Sequence, residues 1–167
     1  YKRDKRRYPV IYMNDGQNLF DDHTSFNGEW GIDECLDSLI KKGKPASIIV
    51  GIDNGPERLN EYNPFDHAEY GKGKGEEYAR FLSETLKPFI DKHYRTLSSK
   101  QNTTIAGSSL GALISYYAML RYPDIYGKAG LFSPAFWIAP KINELTDSVG
   151  YKLKGQLFFV AGDQESR

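Results

Sequence analysis

Apolar residues fall along the chain in short unbroken runs separated by stretches of helical spacing. The runs "PVIYM" (9–13), "SIIVGI" (47–52), "NTTIAG" (102–107), "GKAGLF" (127–132) and "QLFFVAG" (156–162) show little polar alternation, and most are rich in β-branched or aromatic residues. Strands buried on both faces read this way, so the runs predict a mostly parallel sheet with helices between its strands. Three helices are predicted. "EWGIDECLDSLIKKG" (29–43) puts Ile32, Leu36, Leu39 and Ile40 on one face and stops at Gly43. "EEYARFLSETLKPFIDKHY" (76–94) repeats Tyr78, Phe81, Leu82, Thr85, Leu86, Phe89 and Ile90 at helical spacing, and Pro88 should kink or divide it. "LGALISYYAMLRY" (110–122) aligns Leu110, Leu113, Ile114 and Tyr117, with Pro123 after its end.

Between these elements, Asp53 to Gly75 reads as one long loop. It contains "NGPERLNEYNPF" and "GKGKG" (71–75). A connection this long in a compact domain is often functional or mobile. "GKGKG" lacks the Gly-Lys-Ser/Thr ending of a phosphate loop and does not directly follow a strand, so nucleotide binding is not expected. With no internal repeat, low-complexity tract or linker in view, residues 1–167 read as a single domain.

Composition alters this picture little. The 167 residues, 40% apolar and 26% charged, suffice for one core without disulfides or metal. Twelve tyrosines and nine phenylalanines suggest that some aromatic surface lines a groove. Lysine plus arginine equals aspartate plus glutamate at 22 each, which argues against nucleic acid as a partner because phosphate binding needs a basic face. The basic run "YKRDKRR" (1–7) reads as a solvated turn leading into the first strand. Cys35 is the single cysteine, so neither an intramolecular disulfide nor a cysteine-pair zinc site is available. No run approaches the roughly 18 apolar residues of a membrane span. The start shows neither a signal peptide nor an initiator methionine, which leaves the compartment open between cytoplasm and periplasm or exterior.

Candidate chemistry centres on "GSSLG" (107–111). It matches Gly-x-Ser-x-Gly with Ser109 at the centre, a strand runs into it and a helix runs out. A nucleophile elbow is built this way, and its residues two places to each side must be small because helix and strand approach closely. Gly107 and Gly111 meet that need for Ser109, whereas centring on Ser108 would place Ala106 and Leu110 there. An oxyanion needs donors: one expected from the backbone N–H of Leu110, the other from the loop "NDGQNLFDD" (14–22), at Gln17 or its neighbour. Acids at the carboxyl end of a later strand orient a catalytic histidine in such sheets, and "FFVAGDQES" (158–166) offers both Asp163 and Glu165.

With these residues assembled, the chain resembles the esterase branch of the α/β-hydrolases. That branch holds enterochelin esterases, feruloyl and acetylxylan esterases and mycolyltransferases of the antigen 85 type. The similarity runs over essentially the whole chain, through "YPVIYMNDGQNLFDD", "NGEWGIDECLDSLI", "GKGEEYARFLSETLKPFIDKHYRTL", "TTIAGSSLGALISYYAMLRYPDIYGKAGLFSPAFW" and "LFFVAGDQES". It implies an α/β-hydrolase three-layer sandwich with a mostly parallel central sheet, lacking here its N-terminal strands and its last strand. It further implies Ser109 as nucleophile, oxyanion N–H groups from Gln17 and Leu110, and Glu165 in preference to Asp163 as the acid. Trp137, in "SPAFW", is a candidate substrate platform, and Asn18 a further candidate substrate contact. Many relatives carry histidine where Asn14 stands, which bears on the oxyanion loop. Small-molecule, glycan or siderophore esters are the implied substrates, with no cofactor or metal; the oligomeric state is left open.

The resemblance also implies a catalytic histidine some tens of residues beyond the acid, after one more strand. The three histidines here all precede the serine motif. His93 reads as structural, His67 sits on the long loop, and His23 follows the oxyanion loop as a candidate pocket residue. Asp21, Asp22 and His23 lack a second histidine at ligand spacing, so no metal is expected there. The leading expectation is thus a serine esterase whose base lies outside residues 1–167. A catalytically inactive binding domain and an acyltransferase using the same serine are the alternatives. "QLFFVAG" is expected to form an exposed apolar edge, leaving these 167 residues alone poorly soluble or inactive on p-nitrophenyl acetate.

Overall fold

The computed structural model describes residues 5–26 and 28–163, so the expectation placed on Glu165 lies outside the described residues. Each predicted strand is found: β1 (Val10–Asn14), β2 (Ile48–Ile52), β3 (Thr103–Ser108), β4 (Lys128–Phe132) and β5 (Gln156–Val160). They form one sheet in the order β2–β1–β3–β4–β5, with every pairing parallel. Parallel neighbours need crossover connections, and these place helices on the sheet's faces.

In register, Tyr12 lies level with Ile105, Ile105 with Ala129, and Ala129 with Leu157. Ile105, Ala129 and Leu131 share a core cluster with α5 (Leu110–Arg121), whose residues Leu110 to Leu120 are all buried. A helix enclosed on every side explains why this segment is apolar well beyond a single stripe. On the opposite face, Met13 and Ala106 pack with Leu19 and with Ile32 from α1 (Ile32–Lys41). β5 is an edge strand, and all of its residues are exposed.

Several elements depart from the pattern's expectation. The helix foreseen from Glu29 begins at Ile32 because the preceding segment is tied elsewhere. The Trp30 and Ile32 amides donate to the carbonyls of Asn18 and Leu19 at 2.8 and 3.1 Å, with Gly31 left-handed at φ 58°. The helix over 76–94 is divided as its proline requires. It runs as α3 (Gly75–Arg80), one π-helical turn (Phe81–Leu86) and α4 (Lys87–His93). Pro88 has no N–H to offer the Glu84 carbonyl, and the widened turn takes up that mismatch.

Two helices were not anticipated: α2 (Arg58–Glu61), inside the long loop, and α6 (Lys141–Val149). The α6 stripe of Ile142, Leu145 and Val149 packs against the α5 cluster, a signal diluted by its polar neighbours. No helix among the described residues is long and apolar enough to cross a membrane.

Candidate active site

The strand order reverses between β1 and β3. The chain leaves β1 towards β2 on one side and leaves β3 towards β4 on the other. In open parallel sheets the crevice at such a switch point, outside the carboxyl ends of the strands, is where ligands bind. A cavity of about 270 Å³ opens there. Its lining includes Asn14, Asp15 and Asn18 at and after the end of β1, Gly107, Ser108 and Ser109 at and after the end of β3, and Phe26, Trp30 and Arg58.

Ser109 is exposed and adopts φ 57°, ψ −119° between β3 and α5. Side chains other than glycine rarely occupy that region, at a cost of about 1–3 kcal/mol. Several backbone bonds hold it. Its N–H donates to the Phe132 carbonyl at 2.9 Å, and its own carbonyl accepts from Ala112, Leu113 and Ala135 at 3.1 Å each. A Cβ on Gly107 would lie 2.5 Å from the backbone carbon and oxygen of Gly111, so the small residue before the turn is a steric necessity. Leu110 is the first residue of α5, where an amide has no intrahelical acceptor. Among the described residues none accepts a hydrogen bond from the Leu110 amide.

The loop after β1 is equally constrained. Asp15 is left-handed (φ 58°, ψ 50°) and buried, and a single 3₁₀ turn, Gly16–Asn18, follows it. A Cβ on Gly16 would lie 2.7 Å from the Gly51 carbonyl carbon and the Ile52 nitrogen. Gln17 does not line the cavity. Its side chain donates to Asn54 Oδ1 and accepts from the Asn54 amide at 3.3 Å, while its own amide has no acceptor among the described residues. Asn18 does line the cavity; its Oδ1 accepts from the Phe26 amide at 3.3 Å.

Beside both loops lies a set of linked polar and aromatic contacts. Arg58 Nε and Nη2 donate to the two Asp15 carboxylate oxygens at 2.6 and 2.7 Å, and the guanidinium lies 5.0 Å from the Tyr62 ring centre. Burial acts to lower the Arg58 pKa, but the bonds and charge of Asp15 outweigh it and hold the guanidinium above its ordinary range. The Asp15 amide donates to the Tyr62 hydroxyl at 3.2 Å, and the Tyr62 ring packs on that of Tyr78, their centres 5.1 Å apart. Tyr78 donates its proton to Asn14 Oδ1 at 2.7 Å. Asn14 Nδ2 in turn donates to Ser115 Oγ at 2.9 Å and to the Gly111 carbonyl at 3.2 Å. Asn14 thus ties the end of β1 to the first turn of α5.

Burial raises the pKa of Tyr62 to about 12 and of Tyr126 to about 12, and moves Tyr12 and Tyr78 further up. These hydroxyls stay neutral in the folded chain while the unfolded chain ionises near pH 10, so the folded state binds more protons above that point. Their stabilisation is complete below about pH 10 and falls by about 1.4 kcal/mol per pH unit for each tyrosine as pH rises towards the folded values. The expected outcome is cooperative alkaline unfolding between about pH 10 and 12. Absorbance at 295 nm should show these four tyrosines ionising with the loss of near-UV circular dichroism; smooth titration of all twelve near pH 10 in a folded protein would contradict it.

The remaining candidates stand further off. Asp163 lies in an exposed turn beyond β5. Trp137, on the turn after β4, is 76% exposed and is not among the cavity-lining residues. Trp30 and Phe26 line the cavity instead, and Trp30 meets Phe132 edge-on at 5.2 Å. Among the described residues no histidine lines the cavity. His67 Nδ1 accepts from the Glu69 and Tyr70 amides, and His93 Nδ1 bonds to the Phe89 carbonyl. The Asp21 carboxylate accepts from the His23 amide and that of Asp22 from the Glu29 amide, so both serve the loop's own backbone.

A parallel sheet flanked by helices, with a strained serine at the switch point between strand and helix, defines an α/β-hydrolase fold. The chain matches the family described as "Putative esterase" over residues 1–158 and belongs to it. It is 30% identical to the Endo-1,4-beta-xylanase/feruloyl esterase of Xylanibacter ruminicola, over 99% of this chain and 21% of that protein. It is 29% identical to the Ferri-bacillibactin esterase BesA of Bacillus subtilis, over 84% of this chain and 52% of that protein. In fold it resembles the crystal structure of an IroE-like serine hydrolase from Shewanella oneidensis. That match has a TM-score of 0.77 at 23% identity, over 95% of this chain and 52% of the other. The chain spans between 21% and 66% of the length of these and other curated relatives.

Proposed function

We propose that the protein hydrolyses small-molecule carboxylic esters through an acyl-enzyme on Ser109. The observation that carries this reading is the backbone of Ser109, locked at φ 57° beside the cavity between β1 and β3. Ser109 Oγ attacks the ester carbonyl carbon and its proton passes to a base. The base returns that proton to the departing alcohol, and water then cleaves the acyl-serine bond. The Leu110 and Gln17 amides serve as oxyanion donors, which their lack of acceptors among the described residues supports. The base is a histidine oriented by Glu165 or Asp163; among the described residues none of His23, His67 and His93 lines the cavity.

The substrate class follows from the lining and from the relatives. Trp30 and Phe26 offer aromatic walls, and Asn18 offers a polar contact. This suits esters with an aromatic acyl group, of the kind for which the feruloyl esterase among the relatives is named. Trp137 serves as an outer contact for substrates larger than the cavity; its turn is tied to the elbow through the bond from the Ala135 amide to the Ser109 carbonyl. The test is labelling of the intact gene product with a fluorophosphonate, followed by peptide mass analysis. The added mass is expected on Ser109, and labelling that persists in Ser109→Ala would overturn the assignment.

A further inference from the structure

Three consecutive residues of the loop after β1 are each gripped by the segment 51–58. Asp15 is held by both prongs of Arg58, Gly16 is pressed against the backbone of Gly51 and Ile52, and Gln17 exchanges side-chain bonds with Asn54. The Asp15 carboxylate is 9% exposed and the Arg58 side chain 25%, so the pair is largely shielded from water. The grip acts on a residue in a left-handed conformation that sets the direction of the chain just before Gln17. The same Asp15 carboxylate would lie 3.0 Å from a Cβ on Gly111, so it also abuts the first turn of α5.

The geometry points to Arg58 as a positioning residue for the oxyanion site. Its planar fork holds the turn at Asp15, two residues before Gln17, and Asp15 in turn abuts the first turn of α5 that Leu110 opens. Through the Asp15 amide on the Tyr62 hydroxyl, the packed rings of Tyr62 and Tyr78, and the bonds of Asn14 to Tyr78 and to the Gly111 carbonyl, the fork is linked to a residue two places beyond Ser109. The two sources of oxyanion donors, 93 residues apart between Gln17 and Leu110, therefore share one support. Lysine cannot supply this support, because a single ammonium cannot engage both carboxylate oxygens in one plane. The inference rests on the serine-esterase reading given above.

The test uses the intact gene product and p-nitrophenyl acetate, with active serines counted by fluorophosphonate titration. Arg58→Lys is expected to lower kcat per titrated serine by about 10- to 100-fold, less than the 10²–10³ lost when an oxyanion donor is removed outright. KM should change by less than about twofold, because the interaction belongs to the transition state. A boronic acid that mimics the tetrahedral state should lose affinity in parallel with kcat. Added guanidinium, below denaturing concentration, should restore part of the turnover of Arg58→Ala. Asp15→Asn combined with Arg58→Lys should be no worse than either change alone.

Unchanged kcat in Arg58→Lys, or a rise in KM with kcat intact, would overturn the positioning role. So would a fall in the yield of folded protein with normal kcat per titrated serine. Wild-type protein that takes no fluorophosphonate at Ser109 would overturn the esterase reading itself, and the two failures are thereby distinguished.

Discussion

Ser109→Gly should abolish ester turnover and at the same time stabilise the fold. Loss of the proposed nucleophile is expected to cost about 10⁴-fold or more in kcat, leaving only what binding and the oxyanion site contribute. Relief of the φ 57°, ψ −119° backbone should return about 1–3 kcal/mol, because glycine enters that region without a steric penalty. Ser109→Ala should be equally inactive but should gain none of this stability, since its Cβ keeps the strain. Urea unfolding of the three proteins, with turnover measured on the same samples, checks both halves. Equal stability of the glycine and alanine variants would mean that the turn stores no strain.

Gly107→Ala should be the most damaging single methyl addition near the site. The new carbon would sit 2.5 Å from the Gly111 backbone, and neither β3 nor α5 can yield without breaking the close approach of strand and helix. A loss of about 3 kcal/mol is expected, at the upper end of ordinary overpacking, with turnover lost as the elbow opens. Gly111→Ala provides the contrast. There the methyl would meet the Asp15 carboxylate at 3.0 Å and the Asn14 Cβ at 3.2 Å, distances that side chains can relieve by small shifts. Its stability cost should be clearly smaller. Turnover should still fall, since the group displaced is the carboxylate that Arg58 holds. Comparable urea midpoints for the two variants would refute this ordering.

Much of the architecture is legible in the sequence. Strands with both faces covered must be apolar at successive positions, so the runs around Tyr12, Ile105 and Leu131 announced a parallel sheet. Pro88 marked the division of its helix because a missing N–H is a local fact. α6 is faint in the sequence because its three apolar residues stand among polar ones, and α2 because four residues carry too little pattern. The start of α1 was misplaced by three residues, since bonds from Trp30 and Ile32 to the β1 loop compete with helix and join residues twelve or more apart.

The same division holds at the site. Within "GSSLG" the choice of Ser109 over Ser108 depends on contacts between near neighbours, and glycine spacing alone expresses it. Only the tertiary structure brought Arg58 onto Asp15 across 43 residues, seated Trp30 and Phe26 rather than Trp137 in the cavity lining, and kept all three histidines away from it. Sequence order by itself determined what is local: strand, sharp turn, helix and the residue at the bend. The folded sheet decided what is distant, because β1 and β3 become neighbours only once the strand order reverses between them, and the loops that meet there carry no sign of each other along the chain.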